Sequence, residues 1–319
     1  MDAAPKLNDA APPATEDLPR MSFGDHLDEL RSRLMKCIGA MLVAVVALLP
    51  FKDDVTAIYI EPYRNMWDWA YTAFLEKLDE RERTIGLANM HKLEREKVQF
   101  HKEYRDEIKA GTFPEHNQIL TPGGFSVPYT LKATSGFQDV WTFMAAVLLF
   151  GLILASPVVL WQVWAFVAAG LYQHERHVVM RMVPFALLLL TAGVGFGYFV
   201  MVPLALYFLV ELMNWTQVEP LFSVSEYFSM LLTLTAALGL VFQLPLLMLA
   251  LQKVGLVTHA AMRKNWRMVV LGIFVVAAVL TPPDPFTQSI MAGPMVLLYF
   301  LGLWLTGRVE RRTKLVHAT

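Results

Sequence analysis

The sequence WTFMAAVLLFGLILASPVVLWQVWAFVAAGL, residues 141–171, has no charged side chain along its whole length. A helix needs about 20 apolar residues to cross the ~30 Å hydrocarbon core of a bilayer. A surface helix of a soluble protein keeps a charged or polar face, and this stretch offers none. We therefore predict a membrane-spanning helix here, which sets the fold class of the whole chain.

Comparable charge-free apolar stretches recur along the chain. They lie at residues 37–51, 182–210, 227–252, 268–283 and 285–307. The stretches at 37–51 and 268–283 are short, so they must recruit flanking turns or thin the bilayer locally. Of the 319 residues, 55% are hydrophobic and 17% are charged, whereas a soluble chain carries about 25% charge. The alternative, a large soluble helical protein, conflicts with uncharged runs of this length.

These stretches predict an all-α integral membrane protein with six transmembrane helices. The predicted spans are 34–51, 141–169, 182–210, 227–252, 267–282 and 285–306. Lys and Arg are found at both ends of the chain and in the loops after the second and fourth spans. The short loops 211–226 and 282–285 carry neither. The positive-inside rule therefore predicts that both termini are cytoplasmic.

Three segments lie outside the predicted spans. Residues 1–20 are Ala/Pro-rich and aperiodic, which predicts a disordered cytoplasmic tail, and residues 308–319 form a second cytoplasmic tail. Within the membrane domain, residues 21–307, a charged segment at about 65–125 separates the first two spans. Its apolar positions recur at helical spacing, so we predict a helical insertion on the extracytoplasmic side. A surface elaboration is favoured there, with a binding module as the alternative.

The usual signatures of enzymes are missing from the sequence. It contains no GxxxxGK[ST], HExxH, GxSxG or CxxC motif. We predict that the protein is not an enzyme and uses no cofactor or metal. Its single cysteine, Cys37, excludes an internal disulfide, and its net charge of −1 does not favour a nucleic-acid partner.

Two features inside the predicted spans indicate contacts between helices or a possible site. Gln243 precedes Pro245 in the fourth stretch, and an amide in mid-membrane is costly unless it is hydrogen-bonded. It therefore either links two helices or belongs to a site. Gly193 and Gly197 form a small-xxx-small pattern, which we interpret as a close helix–helix contact.

Acidic side chains stand out on the otherwise basic cytoplasmic side. Glu29 precedes the first span, and Glu175 lies in the loop after the second. Two carboxylates near the interface could bind a ligand that carries a pair of guanidinium groups. The alternative is local pairing, of Glu29 with Arg33 at i, i+4 and of Glu175 with a neighbouring arginine.

Three strings in these regions resemble the TatC family, the receptor subunits of the twin-arginine protein translocase. They are MSFGDHLDELRSRLM at 21–35, SPVVLWQVWAFVAAGLYQHERH at 156–177 and LTPPDPFTQ at 280–288. The resemblance implies a cup-shaped bundle of six helices that opens sideways to lipid. It also implies binding of the twin-arginine signal peptides of folded exported proteins. The insertion at 65–125 is longer than the usual first outside loop of the family.

The resemblance carries over residue by residue. Contacts to the signal peptide are implied for Glu29, Glu175, Arg31, Arg33, Phe166 and Tyr172. Structural roles on the extracytoplasmic side are implied for Pro62, Phe137, Asp284 and Gln288. Gln243 occupies the polar position of the fourth span, where the family has Glu or Gln, and it cannot carry a charge.

The implied partners are the signal peptides, TatA/TatB-type single-span subunits, further copies of the chain and the lipid bilayer. The implied location is the bacterial cytoplasmic membrane, with the proton gradient as the energy source. Two other classes compete with this hypothesis. One is a secondary transporter built on proline-broken helices, which would need a coupling-ion site at mid-depth. The other is a structural scaffold, in which Glu29 and Glu175 would be dispensable.

Overall fold

The computed structural model describes residues 23–112, 125, 127–133, 136–169, 179–216, 223–281 and 285–318. Within these residues the architecture is helical, and the only β-bridge is an isolated one between Lys132 and Ser223. The first four helices are α1 (Phe23–Leu48), α2 (Lys52–Ile85), α3 (Lys92–Glu103) and α4 (Arg105–Ala110).

The remaining helices follow the predicted apolar stretches, apart from the short helix His259–Lys264, which lies in the loop after the fourth span. They are α5 (Gln138–Ala169), α6 (Val183–Phe196), α7 (Val202–Thr216), α8 (Val224–Val241), α9 (Leu244–Lys253), α10 (His259–Lys264), α11 (Trp266–Leu280) and α12 (Pro285–Ala318). A π-helical turn, Gly197–Met201, joins α6 to α7 within one long apolar segment. A break before Pro245 separates α8 from α9, because proline cannot donate the hydrogen bond that would continue the helix.

In the described part of the chain, four helical segments are long and apolar enough to cross a membrane. They are Val140–Ala169, Val183–Glu211, Val224–Lys253 and Pro285–Arg311. A fifth is possible if α1 and α2, which meet at an angle of 98°, count as one broken span. α11 is apolar but has 15 residues, about 22 Å of helix, so by itself it is shorter than the hydrocarbon core. The helical membrane class is confirmed, whereas six spans and the orientation stay predictions.

The first apolar stretch lies in a helix that begins well before the stretch itself. α1 is one continuous helix of 26 residues, about 39 Å, and it includes the amphipathic segment that precedes the apolar stretch. The flanking turns that the short stretch needs are therefore present within the same helix. α1 packs mainly against α5, and its remaining apolar side chains are exposed.

A cluster of buried aromatic residues on α2 forms part of the hydrophobic core. Tyr63, Trp67 and Tyr71 are each at most 1% exposed and recur every four residues, on one face of the helix. The Tyr63 hydroxyl donates to the Pro128 carbonyl at 2.6 Å, and Trp67 Nε1 donates to the Val127 carbonyl at 3.1 Å. These bonds fasten the segment before α5 onto α2.

Close contact between α6 and α8 depends on glycine. A Cβ atom placed on Gly193 would lie 2.7 Å from the Leu238 carbonyl oxygen, and one on Gly197 would lie 2.9 Å from the Thr235 Cα. Both distances are too short for any larger residue without a shift of the backbone. The predicted close contact at this small-xxx-small pattern is confirmed, and its partner is α8.

Candidate functional site

A polar network links the start of α1 to the end of α5. Glu29 and Arg33, one helical turn apart, form an ion pair. Arg33 also donates from Nη1 to Gln162 Oε1 on α5, at 3.3 Å. The side chains of Arg33 and Glu29 are 15% and 31% exposed, so the network lies at the edge of the packed interior.

An aromatic contact lies beside this network. The rings of His26 and Phe166 stack with centroids 4.5 Å apart and an interplanar angle of 23°. His26 is one turn before Glu29 on α1, and Phe166 is one turn after Gln162 on α5. The structure therefore places three of the residues implied by the resemblance, Glu29, Arg33 and Phe166, at one junction of two helices.

The guanidinium of Arg33 retains unused hydrogen-bonding capacity. Its Nε atom is buried and has no hydrogen-bond partner among the residues that the structure describes. A guanidinium carries five N–H donors in a planar fork, so it can bind a further acceptor while it holds Glu29.

Of the other residues implied for the same site, only Arg31 lies in the described part of the chain. The Arg31 side chain is exposed, and in the described part of the chain it forms no ion pair. Tyr172 and Glu175 lie in 170–178, outside the described residues, as does Asp284 in 282–284. Local pairing of Glu29 with Arg33 is confirmed, and the pairing of Glu175 stays a prediction.

Gln243 lies at the break between α8 and α9 and contacts a third helix. Its Nε2 atom donates to the Ala186 carbonyl of α6 at 3.0 Å. Its Oε1 atom is buried and has no partner within the described ranges. Gln243 thus links α6 to the break between α8 and α9, and its Oε1 atom remains available as a hydrogen-bond acceptor.

The remaining implied residues occupy separate positions. Pro62 is buried within α2, where it interrupts the helical hydrogen bonding. Gln288 on α12 donates from Nε2 to the Phe274 carbonyl of α11 at 3.0 Å. Phe137 is 85% exposed immediately before α5. None of the three belongs to the Glu29 junction.

Two residues of the junction, His26 and Gln162, were missed by the sequence reasoning. One signal for Gln162 was available, since it is the only amide side chain in the uncharged stretch 141–171. An amide inside an apolar helix usually bonds to a neighbouring helix. The position of His26 offered no comparable signal, because its partner depends on how α1 and α5 cross.

These observations define the class of the protein. Long apolar helices, packed side by side and linked by a few polar contacts, are typical of multi-spanning helical membrane proteins. The sequence model described as "Sec-independent protein translocase protein (TatC)" matches residues 25–294. The chain belongs to this TatC family, whose members are components of the Tat protein translocase.

Individual relatives agree with this assignment. The chain is 31% identical to Sec-independent protein translocase protein TatC of Azotobacter chroococcum mcd 1 over 306 residues, covering 95% of this chain and 94% of that protein. It is also 31% identical to the TatC protein of Synechocystis sp., covering 95% and 92%. A crystal structure of the twin-arginine translocase receptor TatC in DDM superposes with a TM-score of 0.62 at 26% identity, over 88% of this chain and 99% of that one.

Family membership fixes the general function. The protein is a membrane-embedded transport subunit of a protein translocase, which works with other Tat subunits. Since the family transports proteins, the small-molecule transporter hypothesis is not favoured.

Proposed function

We propose that the protein is the receptor subunit that binds twin-arginine signal peptides at the cytoplasmic face of the membrane. In this proposal the chain has six spans and both termini in the cytoplasm. The observation that carries the proposal is the junction of Glu29, Arg33, Gln162 and Phe166 at the ends of α1 and α5.

The chemistry of the junction matches the chemistry of the ligand. Two consecutive arginines present two planar guanidinium groups, which carboxylates bind through short, charge-assisted hydrogen bonds. Glu29 is partly exposed, and its partner Arg33 has a second anchor on Gln162. A peptide arginine can therefore compete for Glu29 while Gln162 continues to hold Arg33.

Glu175 supplies the second carboxylate in this proposal. It lies six positions after Ala169, the last residue of α5, while Phe166 is within the last turn of that helix. The short chain distance keeps Glu175 within reach of the junction, since each residue spans at most about 3.6 Å. Tyr172 and Arg31 complete the proposed binding surface.

The cost of desolvation determines where the charged and the apolar parts of the peptide would lie. Guanidinium groups stay at the interface, because moving a charge to the bilayer centre costs about 3 kcal/mol or more. The apolar part of the peptide would enter the bundle toward Gln243, where one buried acceptor is available. TatA/TatB-type subunits and further copies of the chain are the proposed partners, and the proton gradient the proposed energy source.

Cross-linking of a signal peptide tests the proposal. The variants are Glu175→Gln and Glu29→Gln/Glu175→Gln in the full chain in membranes, with Arg-Arg and Lys-Lys versions of one peptide. We expect the double variant to weaken binding of the Arg-Arg peptide by about tenfold to hundredfold. Asp28→Asn is the matched control, because it removes an exposed carboxylate next to Glu29.

The outcomes separate the two interpretations of the acidic residues. Loss of Arg-Arg binding in a variant that is still inserted and folded supports the carboxylate pair as the recognition site. Unchanged binding would show that these acids only pair with local arginines. An equal loss in Asp28→Asn would assign the effect to the general negative charge of this surface, and it would also contradict the proposal.

A further inference from the structure

A second polar site lies where α10, α11 and α12 meet, away from the α1–α5 junction. A cavity of about 410 Å³ opens there. It is lined by His259, Arg263, Trp266, Phe300, Leu303 and Trp304. Cationic and aromatic side chains thus share the wall of one concave surface.

The back of this cavity is held by hydrogen bonds between helices. The Tyr299 hydroxyl of α12 donates to the Met262 carbonyl of α10 at 2.8 Å. His259 Nδ1 and the buried Thr306 hydroxyl are 3.0 Å apart, and Gln252 Nε2 donates to the Thr306 carbonyl at 3.2 Å. Hydrogen bonds among α9, α10 and α12 therefore hold the back of the cavity in place.

Guanidinium groups and indole rings are paired at its rim. The Arg308 Cζ atom lies 3.8 Å from the centroid of the Trp304 ring, and the Arg267 Cζ atom lies 5.5 Å from the Trp266 centroid. Stacking on an aromatic face leaves the edge N–H groups of a guanidinium free to bind an anion. In the described part of the chain, no carboxylate forms an ion pair with Arg263, Arg267 or Arg308.

An exposed apolar stripe runs away from the rim along α12. Leu297, Phe300, Leu301 and Trp304 follow at i, i+3, i+4 and i+7, on one helical face, and they are 38–66% exposed. Arg308 comes one turn after Trp304 and continues the same face. On α11, Met268 and Leu271 are also exposed. The exposed apolar surface, which could contact acyl chains, is thus continuous with the cationic groups at the rim, which could bind a headgroup.

We propose that this cavity binds the phosphate headgroup of an anionic phospholipid, with the acyl chains along the exposed stripe of α12. Tryptophan prefers the interfacial depth of the bilayer, and basic pockets between transmembrane helices bind anionic headgroups. The proposed orientation places the site in the cytoplasmic leaflet. The site does not depend on the signal-peptide proposal.

Native mass spectrometry of the full chain in detergent micelles tests the site. The protein is titrated with dioleoyl-phosphatidylglycerol and, in parallel, with zwitterionic dioleoyl-phosphatidylcholine. We expect tighter binding of the anionic lipid, and a loss of about tenfold or more in the variant Arg263→Gln/Arg308→Gln. The matched control is Lys264→Gln/Arg311→Gln, which removes the same charge from exposed residues of α10 and α12 outside the cavity.

Three further results would overturn the proposal, and one would support it. Equal affinity for the two lipids would show that the cavity does not select an anionic headgroup. An equal loss in both double variants would assign the effect to general surface charge. Inorganic phosphate that displaces the bound lipid at millimolar concentration supports a phosphate contact, whereas thermal stabilisation by phosphate alone, equal to that by the lipid, would overturn a lipid site.

Discussion

α1 and α2 follow each other directly in the chain, yet they are held in the protein in opposite ways. Among the described side chains of α1 only Ala44 is buried, whereas α2 buries nine side chains. α1 contacts chiefly α5, and its Glu29–Arg33–Gln162 network lies at the edge of the interior. α2 contributes the aromatic cluster, in which Tyr63 and Trp67 donate hydrogen bonds to backbone carbonyls and the Tyr71 hydroxyl bonds the His101 ring.

The difference in burial indicates that the two helices have different roles. Buried aromatic side chains with satisfied hydrogen bonds contribute strongly to the free energy of unfolding. A partly exposed ion pair contributes about 0–1 kcal/mol, so its partners can exchange at little cost. We infer that the α2 cluster stabilises the fold and that the α1–α5 junction is available for binding.

The largest expected effect comes from the α2 cluster. We expect Trp67→Ala to lower the free energy of unfolding by about 3–5 kcal/mol, since the indole is 1% exposed and its removal leaves a cavity. Chemical unfolding of the protein in micelles measures the loss. Trp69→Ala, two positions away and 49% exposed, is the control and should cost much less. Equal losses would contradict the assignment of stability to the cluster.

An intermediate effect is expected at the contact of α6 with α8. Gly193→Ala should lower the free energy of unfolding by about 1–3 kcal/mol, because the new methyl group meets the Leu238 carbonyl. Gly195→Ala is the control, because apart from its own helix backbone no atom lies within 4 Å of the Cβ position of Gly195. The control should be neutral or gain up to about 1 kcal/mol from helix propensity. Thermal unfolding of the two variants side by side decides whether their effects have opposite signs.

The smallest effect on stability is expected at the α1–α5 junction. We expect Gln162→Leu to change the free energy of unfolding by less than about 1 kcal/mol, since it removes one hydrogen bond to a partly exposed arginine. Cross-linking of the Arg-Arg peptide should nevertheless decrease, because Arg33 loses its second anchor and binds Glu29 alone.

Gln138→Leu provides the matched control for that variant. Gln138 lies at the opposite end of α5 and donates from Nε2 to Ser223 Oγ at 2.7 Å. Its loss should leave peptide cross-linking unchanged. A large loss of stability in Gln162→Leu, with unchanged cross-linking, would contradict this assignment. It would show that the α1–α5 junction stabilises the fold and does not bind the peptide.

The sequence predicted the helical membrane class and the family because both depend on local patterns. An uncharged run such as 141–171 can satisfy its backbone in a bilayer only as a helix, wherever its neighbours lie. The glycine contact was also predictable, since small residues one turn apart permit close approach. The helix that makes this contact, α8, could not be predicted.

The tertiary structure alone decided which side chains meet. Arg33 bonds Gln162, His26 stacks on Phe166 and Gln243 bonds Ala186, across separations of 57 residues or more. Such contacts depend on where helices cross and how each is rotated, and hydropathy does not encode either. The sequence by itself thus determined which segments are helices in a membrane, while helix packing decided how the polar residues pair.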